Sequence, residues 1–200
     1  MPKGKLIALT GVSKVGKSTQ AKLLYENLIN KGVNAVLVRE FSNSFVGRSL
    51  EHIIKENNSL NVFSETLQIL SGNVDRLYRH ILPGLDAYEV VICDTYNNMI
   101  IPYQLSRAET IEEKCLITEI VHKVNELFPQ PDLIFYLTAS IDVICDRFSK
   151  DTGRRSEKFR TFIENVLNEV QIKSDYVVID ANKNVNEVAS YILKEVMKIL

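Results

Sequence analysis

The sequence predicts an α/β fold in which five parallel strands form one sheet with helices on both faces. Short apolar runs rich in valine, isoleucine and leucine alternate with segments whose apolar residues recur at helical spacing. A glycine-rich loop also separates the first apolar run from the first helical segment. Strands separated by helices form βαβ units, so the sheet should be parallel and covered on both faces.

The predicted strands are continuous or alternating apolar runs. The first of them leads directly into the glycine-rich loop, and the third, with the sequence EVVIC, is rich in β-branched residues and ends just before Asp94. The five runs are Lys5–Thr10, Asn34–Arg39, Glu89–Cys93, Leu133–Leu137 and Tyr176–Ile179.

Apolar residues at helical spacing predict the intervening helices. In the first helix, Ala21, Leu23, Leu24 and Leu28 form an apolar stripe. Pro129 and Pro131 follow the end of the fourth helix. The helices are Lys17–Asn30, Phe45–Lys55, Glu65–Leu82, Ile111–Leu127, Ile141–Phe148, Glu157–Ile172 and Val185–Leu200. The polar segment Lys150–Ser156 contains Gly153, which predicts a loop.

Composition indicates one domain spanning residues 1–200. The chain is 46% apolar with a net charge of −1, which disfavours a nucleic-acid partner, and no apolar run is long enough for a membrane span. A signal peptide would place its cleavage site inside the glycine-rich loop, so we expect a cytoplasmic protein. Three separated cysteines, Cys93, Cys115 and Cys145, are expected to be buried, reduced thiols.

The spacing Gly11-x-x-x-x-Gly16-Lys17-Ser18 is that of a phosphate-binding P-loop, which predicts a P-loop NTPase fold. Glycines let the backbone turn and point its N–H groups at phosphate oxygens, while Lys17 reaches the β- and γ-phosphates. The Ser18 hydroxyl is a magnesium ligand. A chance turn is disfavoured because a strand precedes the loop and a helix follows it. The predicted ATP-binding residues are Gly11, Val12, Ser13, Lys14, Val15, Gly16, Lys17, Ser18 and Thr19.

Asp94 follows the third strand at the carboxyl edge of the sheet, where open α/β sheets hold their ligands. A carboxylate at this edge can hold magnesium through water. The alternative is an aspartate that caps a helix or a turn. The sequence therefore predicts a site for ATP and Mg2+.

Four segments resemble the thymidylate kinases, P-loop enzymes that phosphorylate dTMP with ATP. They are Arg39-Glu40-Phe41, Asp94-Thr95-Tyr96 with Pro102-Tyr103-Gln104, the strand from Pro131 to Thr138, and Val178-Ile179-Asp180-Ala181. The resemblance covers nearly the whole chain. It implies a nucleoside monophosphate substrate, a short lid at about residues 148–157 and a homodimer.

The resemblance also implies residue roles. A basic residue of the P-loop or the lid would neutralise the transferred phosphoryl group, which makes Lys14, Arg154 and Arg155 catalytic candidates beside Lys17. Arg147 and Ala181 would contact ATP. The implied acceptor-binding residues are Arg39, Phe41, Ile69, Asn73, Tyr103 and Gln104.

The chain departs from the family pattern on the acceptor side. Ser13 replaces a carboxylate, Thr95 replaces an arginine, and a gap-free alignment puts Ile69 in place of a stacking phenylalanine and Asn73 in place of a second arginine. A shifted alignment would instead supply that arginine as Arg76.

Charge-assisted bonds contribute roughly 1.5–3 kcal/mol each, so the loss of two arginines would weaken phosphate binding strongly. Either Arg39, Arg76, Arg79 or Lys14 compensates, or the acceptor differs.

Three functions follow from these observations. The leading one is a kinase of the thymidylate kinase type that makes dTDP from dTMP and ATP. The second is a related kinase with another acceptor nucleotide or nucleoside. The third is an ATP-binding module without turnover, which the two lid arginines disfavour because a binding module has less use for them.

Overall fold

One five-stranded sheet organises the protein. In a computed structural model, residues 4–39, 46, 48–49, 60–153 and 155–200 are described. The strands are β1 (Lys5–Thr10), β2 (Ala35–Val38), β3 (Val90–Asp94), β4 (Leu133–Thr138) and β5 (Tyr176–Asp180). Every pairing is parallel and the strand order is β2-β3-β1-β4-β5, which confirms the predicted fold class.

The helices of the described residues follow the strands in chain order. They are α1 (Lys17–Asn30), α2 (Val62–Arg76), α3 (Leu82–Ala87), α4 (Ile100–Leu105), α5 (Ile111–Asn125), α6 (Ile141–Thr152), α7 (Glu157–Glu169) and α8 (Val185–Met197). A π-helical turn, Leu77–Ile81, joins α2 to α3, and a 3-10 turn, Asn97–Met99, precedes α4. None of the helices in this part of the chain has the length and apolar character required to cross a membrane.

Alternate residues of β1 enter separate cores on the two faces of the sheet. Ile7 and Leu9 pack with buried residues of α1, α6, α7 and α8. Leu6 and Ala8 pack on the opposite face with residues of the π-helical turn and α3. Successive strand side chains point to opposite faces, and both faces of this central strand are covered, which is why it is apolar from Leu6 to Leu9.

β1 also lies at the point where the chain changes direction across the sheet. β2 and β3 lie on one side of it, whereas β4 and β5 lie on the other. A crevice forms at the carboxyl end of a strand in this position, because the connections on its two sides diverge. The P-loop follows β1 at this crevice.

The prediction of a loop over Lys150–Ser156 was wrong at its start. α6 continues to Thr152, whose hydroxyl donates to the Phe148 carbonyl at 2.8 Å, and Gly153 ends the helix in the left-handed region at φ 70°. The polar residues of this turn predict a loop, but in the structure side chains of α6 contact the P-loop, as described below. The predicted helix Phe45–Lys55 lies outside the described residues except at positions 46, 48 and 49, which are helical.

Candidate active site

The P-loop connects β1 to α1 and is held by its backbone geometry. Gly11 has φ 133°, and a Cβ atom there would lie 2.4 Å from the carbonyl oxygen of Leu137. Gly16 caps α1 at φ 112°. Both positions favour glycine because other residues rarely adopt these dihedrals. The loop therefore presents its N–H groups at the N-terminus of a helix, where anions are favoured.

Side chains fix the interior of the loop. Val12 and Val15 are buried beneath it. The Lys17 ammonium donates to the carbonyl oxygens of Gly11 and Val12, at 3.0 Å each, so the lysine folds back over the loop. The Ser13 N–H donates to the Tyr103 hydroxyl at 2.6 Å, which joins the loop to α4.

Ser18, Arg39 and Asp94 line one open cavity of about 590 Å³ beside α1. Its other lining residues are Thr19, Lys22, Leu23, Glu26 and Leu37. Asp94 is largely buried, and its Oδ1 atom has no hydrogen-bond partner among the residues described. A hydroxyl and a carboxylate with a free oxygen are suitable ligands for Mg2+, so these residues fit the ion that the sequence predicts.

Arg147 of α6 connects the P-loop to the segment after β5. Its guanidinium donates to the Val15 carbonyl and to the Ala181 carbonyl, each at 2.7 Å. Ala181 is itself held by a bond from its N–H to the Thr138 carbonyl at 2.7 Å. The predicted ATP-binding residues Arg147 and Ala181 therefore lie together beside the P-loop.

The predicted acceptor residues Tyr103 and Gln104 lie on α4. The ring of Tyr103 packs against Phe162 of α7, with centroids 5.7 Å apart. Gln104 is buried, and its Nε2 atom lies 3.4 Å from a carboxylate oxygen of Glu65, which also accepts from Arg107 at 2.5 Å. Two further predicted acceptor residues lie on α2: Ile69 packs against the cluster between α2, α4 and α5, and Asn73 is buried.

Arg76 was not chosen as a site residue by the gap-free alignment. It is 1% exposed and donates to the Thr95 carbonyl at 3.1 Å, so its guanidinium reaches the carboxyl end of β3. Thr95 has φ 73°, which is costly for a β-branched residue. Arg79, by contrast, is exposed and pairs with Asp75 at 2.6 Å. The shifted alignment was the signal that could have identified Arg76.

Tyr96, the third residue of the Asp94-Thr95-Tyr96 segment, packs outside the cavity and holds the end of β3 in place. Its hydroxyl donates to the Pro129 carbonyl at 2.6 Å, and its ring lies edge-on to Phe128. Burial raises the pKa of this phenol well above its usual range. Tyr96 therefore anchors the end of β3 to the segment before β4.

Of the four candidate catalytic cations, Lys17 lies over the P-loop as described. Lys14, with φ 64°, pairs with Asp151 of α6. Arg155 is exposed between α6 and α7. Arg154 lies outside the described residues, as does the predicted acceptor residue Phe41.

A P-loop after the central strand of a parallel sheet, with an aspartate at the end of the adjacent strand, defines a P-loop nucleotide-binding fold. The family model for thymidylate kinase matches residues 9–192. The chain therefore belongs to the thymidylate kinase family.

Individual relatives are distant. The thymidylate kinase of Orientia tsutsugamushi is 32% identical over 69% of this chain and 62% of its own length. The thymidylate kinase of Rickettsia africae is 29% identical over 74% of this chain and 70% of its own length. That of Thermosipho africanus is 27% identical over 96% of this chain and 97% of its own length.

Proposed function

We propose that this protein transfers the γ-phosphoryl group of ATP to dTMP, giving ADP and dTDP. The observation that carries the proposal is that Ser18, Asp94 and Arg39 line one cavity beside the P-loop. This arrangement would bring a metal site and a cation for a second phosphate together. Membership of the thymidylate kinase family supports a nucleoside monophosphate kinase and dTMP as the acceptor.

ATP would bind along the P-loop, residues Gly11–Thr19, with its phosphates on the backbone N–H groups. Lys17 would leave the loop carbonyls for the β- and γ-phosphates, since a phosphate attracts an ammonium more strongly than a carbonyl does. Arg147 and Ala181 would contact the rest of the nucleotide.

Ser18 and Asp94 would hold Mg2+, which supplies neutralisation of negative charge on the phosphates. Asp94 suits this role because its Oδ1 atom lacks a hydrogen-bond partner among the described residues. Ser18 suits it because it is exposed in the first turn of α1.

The acceptor phosphate would be bound by Arg39 and, in place of the arginine expected at Asn73, by Arg76. A guanidinium can bind phosphate oxygens in bidentate fashion. Tyr103, Gln104, Ile69 and Asn73 would border the nucleoside, together with Phe41. The attacking phosphate oxygen is already ionised, so transfer requires positioning and charge neutralisation but no general base.

The charge on the phosphoryl group in transfer would be neutralised by Lys17 and by one further cation. Lys14, Arg154 and Arg155 are the candidates, and the lid carries two of them. Closure of the lid over ATP would exclude water and strengthen these interactions.

The test is ADP release by purified protein with ATP, Mg2+ and a panel of nucleoside monophosphates and nucleosides. We expect the highest kcat/KM with dTMP. A higher kcat/KM with another acceptor would show that dTMP is not the substrate. ATP binding without ADP release with any acceptor would refute the proposed kinase activity.

A matched pair of variants tests the P-loop assignment. We expect Lys17→Ala to abolish turnover while circular dichroism shows an unchanged fold. Lys31→Ala, which removes an exposed lysine at the other end of α1, should keep full activity. Turnover by Lys17→Ala at the wild-type rate would contradict the assignment.

We also propose a cytoplasmic homodimer that associates through α2 and α5. These helices pack on each other and leave Leu67, Ile111 and Leu116 exposed, which supports a further apolar contact. Light scattering should give twice the monomer mass, and Leu116→Lys should give the monomer. A monomeric wild-type protein would refute the dimer.

A further inference from the structure

One face of α6 is attached to the P-loop at two consecutive loop residues. Arg147 and Asp151 are four residues apart in this helix and therefore lie on the same side of it. Arg147 donates to the Val15 carbonyl at 2.7 Å, and the carboxylate of Asp151 accepts from the Lys14 ammonium. The last turns of α6 are thus held against the P-loop by two charged side chains.

α6 and α7 form a hairpin that would move as one unit. The rings of Phe148 and Phe159 stack with centroids 3.9 Å apart and an interplanar angle of 11°. Arg160 of α7 also pairs with Asp142 of α6. Arg155 lies in the connection between these helices, so the position of α6 affects where this residue lies.

The charge of Lys14 is compensated within this contact. Asp151 lies beside it, and the Lys14 ammonium holds the pKa of that carboxyl below its usual range. A lysine whose charge is already balanced by a carboxylate neutralises little of the negative charge on a phosphoryl group. Arg155, whose exposed position is in the lid itself, has no such carboxylate contact in the described residues.

We propose that Asp151 positions Lys14 as a docking contact for the lid, so that Lys14 holds α6 on the P-loop and is not the cation that neutralises the transferred phosphoryl group. This inference deepens the proposed kinase function and, in its kinetic part, rests on it.

The expected magnitude separates docking from direct catalysis. The side chain of Asp151 is 62% exposed and that of Lys14 is 32% exposed. An ion pair so open to water changes an equilibrium by about twofold to fivefold at most. Loss of a group that stabilises charge in the transition state instead lowers kcat about 100-fold to 1000-fold.

The kinetic test compares Lys14→Met, Asp151→Asn and the double variant at saturating dTMP. We expect each single variant to lower kcat/KM for ATP about twofold to fivefold. The double variant should lose no more than either single variant, because both remove the same contact. Lys14→Arg should lose less kcat/KM for ATP than Lys14→Met, since an arginine can still pair with Asp151.

Asp146→Asn is the matched control, because it makes the same charge change at an exposed position of α6. It should leave kcat/KM unchanged. A 100-fold loss in Lys14→Met with no loss in Asp151→Asn would overturn the proposal and make Lys14 a catalytic residue. Losses that multiply in the double variant would also overturn it.

Hydrogen exchange provides a readout that does not require turnover. In Lys14→Met and in Asp151→Asn, the backbone amides of residues 148–152 should exchange about twofold to fivefold faster than in the wild type and in Asp146→Asn. Unchanged exchange in both variants would refute the docking contact. Faster exchange in a protein that releases no ADP with any acceptor would refute the kinase and leave the contact standing.

Discussion

Arg147 provides a quantitative test of how the P-loop is supported. Its guanidinium makes bonds of 2.7 Å to two carbonyls, those of Val15 and Ala181. Hydrogen bonds to charged groups contribute about 1.5–3 kcal/mol each, and partial exposure of this side chain favours the lower value. Methionine keeps the apolar stem but makes neither bond, so Arg147→Met should lower the free energy of unfolding by about 3 kcal/mol.

The assay is urea unfolding followed by circular dichroism, with linear extrapolation to water. For a chain of this size, the melting temperature should fall by about 6–12 °C. Arg147→Lys, which keeps the charge and can make one bond, should lose about half as much. The control is Arg160→Met on α7, whose partner Asp142 is 79% exposed, and its loss should be much smaller. Equal losses in Arg147→Met and Arg160→Met would refute the reasoning.

Two further predictions concern the P-loop glycine and a buried thiol. Gly11→Ala should abolish ATP binding in calorimetry without unfolding the protein, because its Cβ would meet the Leu137 carbonyl at 2.4 Å. Gly32→Ala, where nothing lies within 4 Å, should bind ATP normally, and equal binding by both variants would contradict the prediction. Burial raises the pKa of Cys93 from 9.0 to about 11, so the folded protein holds this proton more tightly than the unfolded chain. Stability should therefore fall as the pH rises from about 9 to 11, and urea unfolding should show a weaker fall in Cys93→Ala. An identical pH dependence in that variant would show that other groups are responsible.

The expectation that all three cysteines are buried was wrong for two of them. Cys93 is buried in β3, but Cys115 is exposed on α5 and Cys145 is half-buried. Two apolar residues, Leu116 and Ile117, follow Cys115 in the sequence, yet helical periodicity alone does not give the direction of the buried face. That direction was decided by Ile117 and Val121, which pack towards α2.

Local sequence signals were sufficient where a single short-range cause dominates. α1 begins after Gly16 and ends at Asn30 as predicted, because a glycine start signal and one continuous apolar stripe coincide. The predicted helix Glu65–Leu82 is helical in the structure, but its start and its internal π-helical turn were not predicted. It begins earlier, at Val62, since the Asn61 side chain accepts from the N–H groups of Phe63 and Ser64.

Which residue of α2 supplies the acceptor-side arginine could be decided only from the tertiary structure, because the sequence does not show which residue the helix directs towards the carboxyl edge of the sheet. Sequence comparison left both Asn73 and Arg76 open. Arg76 ends α2 immediately before the π-helical turn and reaches the Thr95 carbonyl. A π-helical turn changes the angular register of a helix, and such turns are frequent at functional sites. No periodicity in the sequence marks where it occurs.

The sequence by itself determined the parallel sheet, the P-loop after β1 and the acidic residue at the carboxyl end of β3. Each depends on the local pattern of apolar residues and on glycine spacing, which are written in consecutive positions. Only the tertiary structure decided that Arg147 joins the loop to Ala181 and that Lys14 meets Asp151. These contacts join residues more than 30 positions apart, and they form because helix packing on the sheet brings charged side chains of α6 over the loop.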